Sequence, residues 1–441
     1  MNQATVSPSI KQKISPKNQI FKENKRLIFS GLAKKLLFRQ LEKLHTGSLV
    51  LIEGGARYEF SQDSSKVHSE LDTDLYAEIH IHDPSFYADI LSGGSIGAAE
   101  AFITGDWSSP DLTQVMRLLV RNMDILDQME GGVAALSKPI LKWVHLLNEN
   151  SEKGSRRNIA AHYDLGNDFF ELFLDPTMMY SSGIFQHKNS TMYEASVYKL
   201  KRICDKLKLK PEDRVVEIGT GWGGFAFYAA KNYGCHVTTT TISEQQYSFA
   251  KQRVESAGLS DKITLLKKDY RQLEGKFDKL VSIEMIEAVG WQYYETFFKT
   301  CSSLLKDNGV MLIQAITIED QRYEAAKRDV DFIKQFIFPG SCIPSINALS
   351  TASMKASDMR LTDLSDFAQD YARTLNNWAV KLGENLEEIY QLGYSEDFIR
   401  MWRFYLSYCE GGFAERAIGV SHLVFAKPLH REETLRNAVL V

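Results

Sequence analysis

The sequence predicts an α/β protein in which a doubly wound, Rossmann-like parallel sheet carries a helical insertion and follows a smaller α+β domain. Three observations support this. Residues 214–224, RVVEIGTGWGG, form an apolar strand ending in Glu217 that runs into four glycines within six residues. Such a turn lets backbone N–H groups come close to a nucleotide-like ligand. The amphipathic run FAFYAAKNYG follows, and residues 235–241 read as a second, β-branched strand, so the turn lies inside a βαβ unit. Further strands are expected at 262–266, 277–284 and 309–317, with helices at 223–233, 243–257 and 292–305. This alternation implies a parallel sheet with its ligand above the carboxyl ends of the strands.

In chain order, residues 1–24 carry Ser, Pro, Lys and Asn with little periodicity and are expected to form a mobile tail. The first 45 residues hold eight Lys and two Arg against two Glu, a net +8 within a total of −4, which leaves −12 for the rest. That asymmetry points to an anionic partner. Phe29, Leu32, Leu36, Leu37, Leu41 and Leu44 recur at helical spacing among Lys25, Arg26, Lys34, Lys35, Arg39 and Lys43. Such a basic amphipathic helix either lies on anionic lipid or packs its apolar stripe on a core. An α+β domain spans 25–150: LVLIE, RYEF and LYAEIHIH are strand-like, and the last alternates Ala77, Ile79 and Ile81 against Glu78, His80 and His82. His68, His80 and His82 lack a completing ligand set, so an exposed strand face, not a metal site, is expected. Residues 123–157 read as helical, with NENSEKGSRR as a linker. The α/β domain occupies 156–441, including an aromatic-rich helical insertion at 320–410 and a late strand, HLVFAK.

Composition excludes several classes. With 44% hydrophobic residues in 441, the chain can bury a large core. No apolar run reaches the roughly 18–20 residues that span a bilayer, and the N-terminus lacks a signal-peptide pattern. The expected location is the cytosol, with no nucleic-acid partner. Five cysteines, Cys204, Cys235, Cys301, Cys342 and Cys409, lack CxxC spacing and suggest neither a disulfide framework nor zinc.

The glycine turn alone suits NAD, a flavin, S-adenosylmethionine or a purely structural role. Glu217, at the strand end instead of about 20 residues beyond the glycines, favours S-adenosylmethionine. Candidate contacts lie at successive strand ends: Glu217 with Gly219, Gly221 and Gly223; then Thr241, Ile242 and Gln246 in TISEQQ; then Asp269 and Tyr270. Ser243 can also cap the next helix, with Gln246 completing a capping box. The fourth strand delivers Glu284 and Glu287 in IEMIEAVG, an i, i+3 pair that a helical turn places on one face. Upstream, the aromatic segment HYDLGNDFFELFLDPTMMYSSGIF is either a lid over the cofactor or a buried core.

Six ordered motifs, HYDLGNDFFELFLDPTMMYSSGIF, VVEIGTGWGG, TISEQQ, MIEAVG, FIFPGSCIPS and QDYARTL, closely resemble the cyclopropane-fatty-acid synthase family, which includes the mycolic acid cyclopropane synthases and the plant enzymes. The resemblance covers most of residues 156–426, and AEAFITGDWSSPDL is similar to the N-terminal domain of the longer bacterial members. It implies a class I methyltransferase sheet and transfer of a methyl group from S-adenosylmethionine to the cis double bond of an unsaturated phospholipid acyl chain. It assigns Tyr180, Gly219, Gly221, Thr241, Ile242, Gln246 and Tyr270 to the cofactor, and Glu287, Tyr371, Ser182, Gln314 and Ile316 to a bicarbonate ion beside the reacting carbon. Bicarbonate would then take the proton from a carbocation that Tyr180, Phe185 and Tyr371 stabilise through their π-faces. The chain departs from the family pattern twice: Ser182 and Gly183 follow Tyr180-Ser181 where relatives usually have Cys-Ala, and Gln314 replaces the bacterial histidine, as in the plant type. These changes leave a methyl- or methylene-branched product as the alternative to a cyclopropane, and an inactive lipid-binding homologue as a third reading. Together with the basic segment, the resemblance implies peripheral association with the inner face of the membrane; a homodimer is a candidate assembly.

Overall fold

The computed structural model describes residues 30–61, 75–125 and 165–431. The expected tail, His68, most of the 123–157 helical stretch, the polar linker and residues 162–164 of the aromatic segment lie outside the described residues. The chain divides into two compact units, Met1–Ser137 and Lys138–Val441.

In the first unit, helix α1 covers residues 30–41. It is followed by β1 (Ser48–Glu53), β2 (Ala56–Ser61), β3 (Tyr76–Ile81), α2 (Ser85–Thr104), β4 (Trp107–Ser108) and α3 (Leu112–Arg121). The sheet order is β2-β1-β3-β4, with β1 antiparallel to β2 and parallel to β3. Gly54 and Gly55 join β1 to β2 with φ of 55° and 86°, the backbone a two-residue hairpin turn of matching twist requires. On β3 the alternation resolves as expected: Ala77, Ile79 and Ile81 are buried, while His80 pairs with Glu78 and His82 with the Ser108 hydroxyl. Helix α1 has one side buried in the unit and one side exposed. Leu37, Leu41 and Leu44 are buried, and Lys34 bonds Glu53 and the Tyr58 hydroxyl, so this side faces the unit's core. Leu32 and Leu36 are exposed beside exposed Lys35, Arg39 and Lys43.

The second unit begins with α4 (Asn167–Glu171) and α5 (Met192–Leu207), the latter opened by a Thr191/Glu194 capping box. The alternation then runs β5 (Arg214–Ile218), α6 (Gly224–Tyr233), β6 (His236–Thr240), α7 (Glu244–Ser256), β7 (Ile263–Leu266), β8 (Phe277–Ile283), α8 (Tyr294–Leu304) and β9 (Leu305–Ile318). After it come α9 (Asp320–Ala326), α10 (Ile346–Ala356), β10 (Arg360–Asp366), α11 (Ala368–Glu384), α12 (Leu386–Gln391), α13 (Glu396–Ala414) and β11 (Ile418–Ala426). The seven-stranded order is β10-β11-β9-β8-β5-β6-β7. Strand order places the topological switch between β5 and β8, because β6 and β7 add on one side of β5, and β8 and β9 on the other, and there an α/β sheet opens its ligand crevice.

Each central strand supplies both faces of the core, so apolar runs are nearly continuous. On β9, Met311 and Ile313 pack with Phe297, Phe298 and Leu349 on one side; Val310 and Leu312 pack with Leu200, Phe225 and Ala229 on the other. One expectation needs correction: the sheet is mixed, because β11 runs antiparallel to β9 and β10 antiparallel to β11. The reason is positional: after α13 the chain re-enters the sheet at Ile418, opposite Ile318 at the carboxyl end of β9, so β11 must run back against β9. The largely helical segment 320–410 also contributes β10 to the sheet edge.

Candidate active site

The glycine turn is built from backbone conformations that side chains disfavour: Gly219, Gly221 and Gly223 have φ of 99°, 51° and 84°. A Cβ on Gly221 would meet nothing within 4 Å, so this position faces open space. A Cβ on Gly224 would instead lie 2.4 Å from the Met179 sulfur and 2.9 Å from the Thr177 carbonyl. Three glycines therefore shape the cradle and the fourth admits the aromatic segment. That segment covers the turn: Trp222 donates to Asn167 at 2.7 Å and its ring lies 4.8 Å from Phe170. Phe169, Phe170 and Phe173 are buried, as the core reading expects.

Glu217 is buried at the base of the cradle, accepting from the Thr239 hydroxyl at 2.6 Å, and burial pushes its carboxyl up to about 8. Thr241 donates to the Gln246 carbonyl at 2.9 Å, and Ile242 sits half-buried next to it. Ser243 caps α7 by accepting from Gln246 N–H, but the reciprocal half of the expected capping box is absent: Ser243 N–H goes to Thr241, and the Gln246 carbonyl takes the Thr241 hydroxyl. Asp269 forms a bidentate pair with Arg271, at 2.8 and 2.7 Å. Tyr270 packs its ring 5.5 Å from Phe297 and leaves a buried hydroxyl with no hydrogen-bond partner. An open glycine turn, a buried acid and polar groups at the next two strand ends are the kinds of group that S-adenosylmethionine requires.

Beyond β8 the chain turns sharply. Glu284 has φ of 48°, a left-handed conformation that costs a side-chain-bearing residue about 1–2 kcal/mol. Its carboxylate collects three donors: Ser182 N–H at 3.0 Å and Gln314 Nε2 at 2.7 Å on one oxygen, and the Tyr371 hydroxyl at 2.6 Å on the other. Burial raises its carboxyl above the usual range, against the lowering effects of Tyr371, Lys199, Ser182 and Gln314. Glu287 lies in the following 3-10 turn, Ile286–Ala288, and accepts from Ile316 N–H at 2.5 Å. Its second oxygen is buried without a partner, and burial with the neighbouring Glu284 charge pushes its carboxyl up to about 8. The two carboxyls thus differ in their partners: burial raises both, but three donors converge on Glu284, while Glu287 receives one.

Two contributors to this cluster, His422 and Lys199, carry no site assignment from the sequence. Glu284 is singled out there with Glu287 as a carboxylate pair but given no role, yet it is the residue that Tyr371, Gln314 and Ser182 contact. His422, opposite Gln314 in the β9–β11 register, approaches the Gln314 carbonyl at 3.0 Å and so turns the amide nitrogen toward Glu284. Burial holds its imidazole well below the ordinary histidine range, so it is neutral. Lys199 on α5 is fully buried, donates to Ser181 at 2.6 Å, and is lowered to about 8 by burial against the charges of Glu284 and Asp175. Only proximity in the chain could have flagged Lys199, and nothing local marks His422. Gly183 has a packing reason: a Cβ there would lie 2.9 Å from that of Ala195.

The aromatic wall is partly as expected. Tyr180 tilts on Trp378 at 5.3 Å and donates to Tyr405 at 3.0 Å, and Tyr371 stacks on Phe413 at 4.3 Å. Phe185 is a correction: the Arg373 guanidinium already covers its ring at 3.9 Å, so that face is not offered to a carbocation.

The model of the mycolic acid cyclopropane synthetase family matches residues 150–423. Tuberculostearic acid methyltransferase UfaA1 of Mycobacterium tuberculosis is 34% identical over 351 residues, covering 76% of this chain and 80% of its own. Cyclopropane-fatty-acyl-phospholipid synthase of Escherichia coli K12 is 35% identical over 356 residues, covering 80% and 88%. The solved cyclopropane synthase MmaA2 from Mycobacterium tuberculosis aligns with a TM-score of 0.58 at 30% identity over 62% of this chain and 98% of that one. The complex of mycolic acid cyclopropane synthase CmaA1 with SAH and CTAB gives 0.58 at 31% identity, with the same coverage. Fold, cradle and these similarities define a class I S-adenosylmethionine-dependent methyltransferase. Within that class, the chain belongs to the mycolic acid cyclopropane synthetase family.

Proposed function

We propose that this protein transfers the methyl group of S-adenosylmethionine to the cis double bond of an unsaturated phospholipid acyl chain and closes a cyclopropane ring. The observation that carries the reading is the donor cradle at the β5–β8 switch set beside the Glu284–Tyr371–Gln314–Ser182 cluster. The donor supplies an electrophilic methyl. The olefin π pair forms the new carbon–carbon bond while the carbon–sulfur pair stays on sulfur, leaving S-adenosylhomocysteine and a carbocation on the adjacent carbon. Tyr371 and Tyr180, each backed by a second aromatic ring, present π-faces where that charge develops. Loss of a proton from the added methyl gives its C–H pair to the cationic carbon, which closes the ring.

The expected result is that purified protein with S-adenosylmethionine and unsaturated phospholipid yields acyl chains one CH2 heavier, with upfield ring protons by NMR. No mass gain across several unsaturated lipids defeats the reading. A branched-methyl or methylene signal assigns instead the second product class, which the similarity to a tuberculostearic acid methyltransferase favours.

The outer side of α1, with Leu32 and Leu36 exposed among Lys35, Arg39 and Lys43, suits the anionic surface where such lipids reside. No described helix is long and apolar enough to cross a membrane. Binding to anionic liposomes is expected to weaken as salt rises, because such attraction is screened over about 8 Å at 0.15 M ionic strength. Salt-independent binding rules out this contact.

A further inference from the structure

We propose that Glu284 is itself the base that takes the proton, in the place the family resemblance gives to a bicarbonate ion. The inference rests on the methyl-transfer reading above and names the proton acceptor of the same site.

Four of the five residues assigned to bicarbonate, Tyr371, Gln314, Ser182 and Ile316, give their hydrogens to the chain's own oxygens. The Tyr371 hydroxyl, Gln314 Nε2 and Ser182 N–H go to Glu284. The second Gln314 hydrogen faces the Ser182 carbonyl at 3.4 Å, the Ser182 hydroxyl donates to Gly183 O at 2.9 Å, and Ile316 N–H goes to Glu287. Of the five, Glu287 alone keeps a buried side-chain oxygen unpartnered among the described residues, and an anion entering here would also meet the Glu284 carboxyl that already holds the other donors. The donors fit a carboxylate, and the chain supplies one.

Geometry supports the role. A carboxylate has about four lone-pair sites; three donors occupy the Glu284 carboxylate, which leaves one for the substrate proton. The left-handed backbone at Glu284 aims that side chain back into the cluster, a strained placement of the kind that accompanies function. The groups facing it are Tyr371, Gln314 held by His422, Ser182 N–H, the cation of Lys199 and the carboxyl of Glu287. The reaction balances without another reactant: the C–H pair of the added methyl closes the ring, the proton passes to a Glu284 oxygen, and it leaves to solvent after product release.

The test compares the full-length protein with Glu284→Gly and Glu284→Gln. Glycine accepts the local φ, removes the carboxylate and opens room among the three donors. The wild-type enzyme should turn over equally in carbonate-depleted buffer and with added bicarbonate, and calorimetric titration with bicarbonate should give no binding. Glu284→Gly should lose about a hundredfold or more in turnover, bind bicarbonate by calorimetry and recover activity with it. Glu284→Gln, which keeps the space filled, should be impaired and not rescued. A wild-type enzyme that binds bicarbonate, or depends on it for turnover, overturns the proposal. So does full activity in Glu284→Gln. If no olefinic lipid accepts a methyl group, the functional reading fails instead, and the calorimetric comparison still decides whether Glu284 occupies the anion site.

Discussion

Gly221→Val is expected to abolish S-adenosylmethionine binding while the protein remains folded. The position has φ of 51°, and a Cβ added there projects into space with no protein atom within 4 Å. Two effects then separate. Forcing a β-branched residue into the left-handed region costs about 1–2 kcal/mol, a modest loss for a unit with two large apolar layers. The isopropyl group, however, occupies the side of the turn from which a donor must approach backbone, and no neighbouring protein atom needs to move to let it stay there. Calorimetry should show no measurable affinity, and thermal melting should show a small drop. Gly221→Ala should fall between. Wild-type affinity in the valine variant would mean that the open side of the turn is not where the donor lies.

Tyr371→Phe is expected to lower turnover by about a hundredfold with little change in donor affinity. The substitution keeps the ring stacked on Phe413 at 4.3 Å but removes the hydroxyl that donates to Glu284 at 2.6 Å. That hydrogen bond favours the Glu284 anion, so its loss raises the carboxyl further above its ordinary range, in the direction burial already pushes it. A base must be unprotonated to act, so the acidic limb of the pH–rate profile should move to higher pH and part of the activity should return on the alkaline side. Gln314, Ser182 N–H and Lys199 still favour the anion, so the limb shifts without vanishing. An acidic limb that stays in place would show that Tyr371 does not tune the proton acceptor.

Much of the site is legible one element at a time. The strands expected at 262–266 and 277–284 fall at Ile263–Leu266 and Phe277–Ile283, because buried central strands read as apolar runs bounded by turns. The cradle is legible for the same local reason, since glycine density at a strand end reports a backbone that other residues resist. Local reading fails where a distant partner intervenes. Phe185 reads as a free aromatic face, but Arg373 lies on it; Gln246 reads as half of a capping box, but Thr241 takes its carbonyl.

By itself the sequence determined the α/β alternation, the glycine cradle at the β5 edge and the presence of two acidic residues beyond β8. These follow from periodicity, φ preference and burial, which act over a few residues. Only the tertiary structure decided which of the two acids meets the donors. The contacts of Glu284 with Ser182, Gln314 and Tyr371 join residues 102, 30 and 87 positions apart. They depend on the β9–β11 register that sets His422 behind Gln314, on α11 bringing Tyr371 to Glu284 and on a single left-handed residue. A side chain's neighbours across such separations are fixed by packing of whole elements, and no local pattern encodes them.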